Sequence, residues 1–194
     1  MGLKDVQTVL ARLYTDDDFR EGFFLDAHSS CEDADIYSIE ALYLDELSRE
    51  QVDFFARSLK QKRLKEVQKL LPLTSEALGD QFRRRFLGHV KATNAKSTSD
   101  HHQDAIDFCT YLCNRAGGLG WRAELACYER AHLNAVSGRR RFDVCWLRFR
   151  PRALLACLES EEARPASRAL TFVAFVRLTK RMSLWHFELS LPFW

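Results

Sequence analysis

The chain has 194 residues, a net charge of +2 and 46% hydrophobic residues, the composition of an ordinary folded protein. At that size it buries enough surface to need no metal or disulfide staple. It has no run of 18 apolar residues, which excludes a membrane span of that kind. The near-neutral total conceals segregation: residues 1–54 carry −10 and residues 55–96 carry +8. The acidic N-terminal helices are therefore expected to dock near the basic central ones, and basic surface left uncovered would attract an acidic partner.

The predicted elements begin with a helix over Val6 to Tyr14. Thr15 followed by Asp16, Asp17 and Asp18 reads as the start of a second helix carrying Phe19, Phe23 and Phe24, with acids at the positive end of its dipole. Residues 27–35 read as a loop and Ile36 to Leu47 as a short helix. A long helix follows. Ser48 and Gln51 form a capping-box start, Val52, Phe55, Ala56, Leu59, Val67 and Leu70 make an apolar stripe, and Lys62, Lys65 and Lys69 line the opposite face. Arg63 falls on the stripe, with Glu66 available one turn on. Pro72 ends the helix, since its ring lacks a donor and clashes with the preceding turn. Thr74 is expected to cap a helix bearing Leu78, Phe82, Phe86 and Val90, and the polar run Lys91 to Ser99 reads as a linker.

Helical spacing resumes over residues 100–116, with Ala105, Ile106, Cys109, Leu112 and Cys113 on one face. Gly117 to Gly120 stops it. Trp121, Leu125, Tyr128, His132 and Ala135 share a face of the next helix. The period then changes. Residues 141–150 favour a strand by content, while Leu170 to Thr179 and Leu184 to Leu189 alternate with period two. Glu159 to Pro165 reads as an exposed turn. The fold class expected is α+β, an N-terminal helical bundle followed by a small C-terminal antiparallel sheet. The domain expectation is a helical bundle over 1–96 and helices plus sheet over 97–194, or one continuous domain.

Catalytic motifs are wanting. His101 and Asp104 share a helix face and would need His89 or His132 as a third metal ligand. Cys109 and Cys113 lie one turn apart on an apolar stripe, where free cysteine behaves as a small hydrophobe. Glu159, Glu161 and Glu162 read as solvated turn residues. The six cysteines include no Cys-x-x-Cys pair, and with no secretory h-region in view they point to reduced thiols and a cytoplasmic protein. Arg83 to Arg85 and Arg139 to Arg141 could hold phosphates, and a nucleic-acid-binding or regulatory protein using its basic helices is the alternative reading. The acidic N-terminal block opposes it.

Several phrases carry a resemblance: Leu13 to Phe24 (LYTDDDFREGFF), Phe55 to Arg63 (FARSLKQKR), Leu70 to Thr74 (LLPLT), Asp104 to Phe108 (DAIDF), Tyr128 to Ala131 (YERA) and Phe175 to Arg181 (FVRLTKR). Together they resemble the partner proteins of multinuclear non-haem iron oxidative enzymes, which modify ribosomally made peptides. The resemblance implies a helical N-terminal part, a C-terminal sheet and no cofactor in this chain, the iron belonging to the partner enzyme. It implies a chain that holds the leader of a precursor peptide and presents the core. It carries over no binding side chain. The residues themselves suggest a strand within 141–150 or 170–179 as an edge for the leader, with Arg148, Arg177 and Phe175 as peptide-binding residues. Lys62, Lys65 and Lys69 are expected to face the enzyme. Reversing the charge of Arg148 and Arg177 is expected to weaken peptide binding and leave the fold intact.

Overall fold

In a computed structural model the chain is α+β: mostly helical, with a three-stranded antiparallel sheet at its C-terminal end. The structure describes residues 2–32, 47–93, 100–115, 119–138, 140–160, 165, 168–177, 179 and 183–192. The described elements are α1 (Gly2–Thr15), α2 (Asp17–Leu25), α3 (Ala27–Glu32), α4 (Arg49–Leu70), α5 (Pro72–Leu78), α6 (Asp80–Thr93), α7 (His101–Asn114), α8 (Trp121–Val136), β1 (Phe142–Phe149), α9 (Pro151–Glu159), β2 (Arg168–Val176) and β3 (Trp185–Pro192). They fall into two compact units, Met1–Lys65 with Leu87–Ser99, and Glu66–Phe86 with Asp100–Trp194.

The first unit is built on α1, α2 and the start of α4. Its core joins Val9, Leu13, Phe19, Phe23 and Val52. The cap of α2 is Asp16, whose carboxylate accepts the Phe19 amide at 3.0 Å, whereas Thr15 ends α1 and donates its hydroxyl to Ala11 O. An aspartate in extended backbone satisfies a free helical amide and adds charge at the dipole. An ion pair in this unit joins the acidic and the basic stretch. Lys60 of α4 donates to Asp17 at 2.6 Å, and Arg20 bonds Asp53 and the Leu13 carbonyl at 2.9 Å and pairs with Asp17. Partial burial raises the Asp17 pKa, but the hydrogen bonds and charges of Lys60 and Arg20 outweigh it and hold the carboxyl below its ordinary value. Residues 27–32 are helical where a loop was expected; of the helix expected over 36–47, residues 36–46 lie outside the described residues and Leu47 is a bend.

The stripe on α4 differs from its sequence reading. Val52, Ala56, Leu64 and Val67 are buried, Phe55 is 47% exposed with its ring against Tyr14, and Glu66 bonds Lys69 at 2.8 Å. Pro72 does end the helix, at Leu70, and stands at the start of α5.

In the second unit the helix expected over 74–90 is broken at Gly79, whose φ of +50° is a conformation L side chains rarely adopt. Thr74 caps nothing. It is buried within α5, and the amides of Leu73 and Thr74 are taken by the two carboxylate oxygens of Glu129 from α8, at 2.9 and 2.8 Å. Phe82 and Phe86 meet Phe108 of α7 edge-on at 5.2 and 5.3 Å. Cys113 of α7 and Cys127 of α8 are joined as a disulfide with Cα atoms 5.9 Å apart, where reduced thiols were expected: adjacent helices bring the two side chains level. Cys109 and Cys145 are free thiols, and both they and Cys157 are buried.

The sheet lies against α8 and α9, with a core that includes Trp121, Leu125, Cys145, Leu147, Leu154, Val173 and Phe175. Its strand order is β1-β2-β3, so β2 is central. The helix α9 fills the stretch after β1, with Pro151 in its first turn and Leu154 and Cys157 turned inward.

Candidate functional site

The sheet has one covered face and one bare one. Asp143, Cys145, Leu147 and Phe149 of β1 and Ala169, Thr171, Val173 and Phe175 of β2 are buried, so the alternate positions point outward. Register stacks those outward residues in rows. Phe142, Val176 and Trp185 form one; Val144, Ala174 and Phe187 the next; Trp146, Phe172 and Leu189 the third. Leu170 and Leu191 pair beyond them. The only charges at outward positions are Arg148 and Arg168, both at that end. Trp146 is 64% exposed and lies 4.8 Å from the ring of Phe172. Leu189 is 63% exposed. Large apolar side chains left bare in a contiguous patch mark an interaction surface.

The strand edges are unequal. Arg177 N donates to Arg141 O, which fixes the parity of the ladder. In an antiparallel sheet a residue's N–H and C=O point the same way and alternate along the strand. The even-numbered residues of β1 and the even-numbered residues of β3 therefore present their amides to the free edges. On β1 two of these are already taken: Val144 N donates to Asp143 Oδ1 at 2.9 Å and Arg148 N to Glu124 Oε2 at 2.7 Å. On β3 the amides of His186, Glu188 and Ser190 have no partner among the described residues. Among the described residues β3 is the more open of the two edges, since β1 keeps only the outward amides of Phe142 and Trp146.

The inner side of β3 is polar. His186 stacks on Phe175 with centroids 4.9 Å apart, and Ser190 Oγ lies 3.0 Å from Thr171 Oγ1 and donates to Glu188. Tyr128 and His132 of α8 approach the edge of the Phe175 ring at 5.3 and 5.4 Å. Burial, then the nearby His186, pushes the His132 pKa down; burial, then the charges of Cys145, Glu188 and Glu129, pushes that of Tyr128 up. Burial drives the Cys145 thiol up to about 12, leaving it protonated at neutral pH.

The residues singled out from sequence fall as follows. Arg148 is outward, but its Nε donates to buried Glu124 at 2.8 Å. Arg177 donates to Val136 O at the C-terminal end of α8 at 2.8 Å. Both arginines brace the fold, so charge reversal there would not leave it intact: a carboxylate would face Glu124 or a carbonyl. Phe175 is 2% exposed and belongs to the core, which leaves Phe172 as the β2 aromatic on the bare face. The stretch 170–179 offers no edge, because β2 has a neighbour on each side. Lys62, Lys65 and Lys69 are exposed on α4. The expected stretch 141–150 holds β1, which is an edge strand; β3 is the other edge, and its signal in the sequence is its own alternation, Trp185, Phe187, Leu189 and Leu191 against His186, Glu188 and Ser190.

Asp100 caps α7 by accepting the Gln103 amide at 3.0 Å, and His101 Nδ1 lies 3.9 Å from Asp104. Among the described residues no three His, Cys, Asp or Glu side chains converge to hold a metal. The first unit has a cleft of about 210 Å³ lined by Thr15, Asp17, Asp18, Lys60, Leu87, Val90 and Lys91. The charge of Asp17 is committed there to Lys60 and Arg20. Among the described residues no helix is long and apolar enough to cross a membrane.

No curated protein matches the chain. Residues 45–114, which take in α4 to α7 and stop short of the sheet, match the family model described as SCO6045-like, C-terminal domain.

Proposed function

We propose that this chain is a non-catalytic partner protein that holds the leader of a ribosomally synthesised precursor peptide and presents the peptide to a multinuclear non-haem iron oxidative enzyme. The open edge of β3 carries this reading. A leader added there as a fourth strand would take the outward amides of His186, Glu188 and Ser190. Its alternate side chains would lie beside Trp185, Phe187 and Leu189 on one face and beside His186 and Glu188 on the other. Main-chain bonds supply affinity, and the aromatic row selects apolar residues at every second leader position. The resemblance noted from sequence supplies the class of partner, and the oxidation and its iron belong to that enzyme. The exposed Lys62, Lys65 and Lys69 are the surface offered to it.

The test is titration of the full chain with the leader peptide of a neighbouring precursor, followed by intrinsic tryptophan fluorescence, with Trp185→Phe to identify the signal from β3 among the four tryptophans. Proline is tolerated at an edge-strand position whose N–H faces solvent. Glu188→Pro and Ser190→Pro each remove one outward donor, so each should weaken binding about 2- to 12-fold, the worth of one hydrogen bond. Unchanged leader affinity in both variants, with unchanged far-UV dichroism, rules out the β3 edge.

A further inference from the structure

The bare outer face of the sheet is a second surface, distinct from the backbone edge of β3. With aromatic side chains worth roughly 150–250 Å² each, the exposed fractions of Phe142 (65%), Trp146 (64%), Leu189 (63%) and their neighbours leave on the order of 800 Å² of side chain in water. That exceeds the roughly 300–600 Å² of the largest patch on a typical monomer. It equals the area of about 800 Å² that each partner contributes to a stable interface.

From this area and from the distribution of charge we infer that the outer face pairs with the same face of a second copy, two three-stranded sheets stacking into a sandwich. The centre of the face carries no charge, so a copy of itself is a complementary surface. Arg148 and Arg168 stand at one end and the aromatic residues Phe142 and Trp185 at the other. A two-fold axis between the sheets and across the strands reverses one sheet on the other. Each arginine end then lies over an aromatic end, where the Arg168 guanidinium meets a ring face while Arg148 stays on Glu124, and the like charges are kept apart. Aligned sheets pack about 10 Å apart, with side chains of this size interdigitating. The β3 edges stay open in such a sandwich, so dimerisation and strand addition are separable.

Sedimentation velocity of the full chain over a micromolar concentration series is the test. The wild type should sediment as a dimer at the upper end, with Trp emission moving to shorter wavelength as it forms. Trp146→Glu combined with Leu189→Glu places carboxylates in the centre of the face. It should raise the dimer dissociation constant about a hundredfold or more, the cost of losing two central contacts, with far-UV dichroism unchanged. Lys62→Glu, on α4, should remain dimeric. A wild-type chain that is monomeric throughout the series overturns the inference. So does a dimer that survives the double substitution, or a face that Trp fluorescence finds covered only when a different protein is added.

Discussion

The helix α5 begins at Pro72 with no side-chain cap of its own, and Glu129 stands in for one from another helix. Both carboxylate oxygens are spent on the Leu73 and Thr74 amides in a buried site, which ties α5 to α8, as Arg122 Nε does by donating to Ala77 O at 2.8 Å. Glu129→Gln keeps the shape but turns a donor toward one of those amides. Urea unfolding should show a loss of about 1–3 kcal/mol, the cost of a buried unsatisfied group. The pH response has a definite sign. Burial raises the Glu129 pKa above 4.5 against the hydrogen bonds from Thr74 and Leu73. A raised carboxyl binds its proton more tightly folded than unfolded, so its share of stability is largest below 4.5 and declines as pH climbs through the folded value. Asp17 runs the other way. Its lowered folded value makes its contribution complete above 3.8 and lost as pH falls below that. Asp17→Asn should therefore flatten the acid limb of a melting-temperature profile below pH 3.8, and a limb of unchanged steepness would show that its pairs with Lys60 and Arg20 add nothing.

At the level of elements, the long helix and its stop at Pro72 were legible because capping and proline chemistry are local. The break at Gly79 was not, because a glycine within a helical pattern can continue the helix or, as here, take the positive φ that ends it. Strand existence was legible from period two. Strand direction was not: in β2 the set Leu170, Phe172, Ala174, Val176 and the set Thr171, Val173, Phe175 are both largely apolar, so alternation alone could not say which faced the helices. Phe175 was assigned to a ligand for that reason. How open each edge is was hidden as well, since the carboxylates that take two outward amides of β1 come from Asp143 within it and from Glu124 in α8. Arg148→Glu tests this reading of β1. It sets a carboxylate against buried Glu124 and should cost about 1–3 kcal/mol by removing a charged donor, measured by denaturant unfolding. A variant as stable as the wild type would show that Glu124 is held by the Arg148 amide alone.

Over the whole molecule, acid and base are paired internally in the first unit, while the second leaves its sheet bare. Lys60 meets Asp17 across the two charge blocks, and Arg20 pairs with Asp17 and Asp53 within the acidic one. What the C-terminal half offers outward is backbone at β3 and apolar area beside it. Those are the two things an extended peptide needs from a binding surface, and neither requires a reacting group. Residue-resolved amide exchange, followed by NMR with and without a saturating leader peptide, tests this most directly. The account predicts that the leader slows exchange at His186, Glu188 and Ser190 and leaves Val144 and Arg148 as they were. Protection confined to β1, or none in the sheet at all, would contradict it.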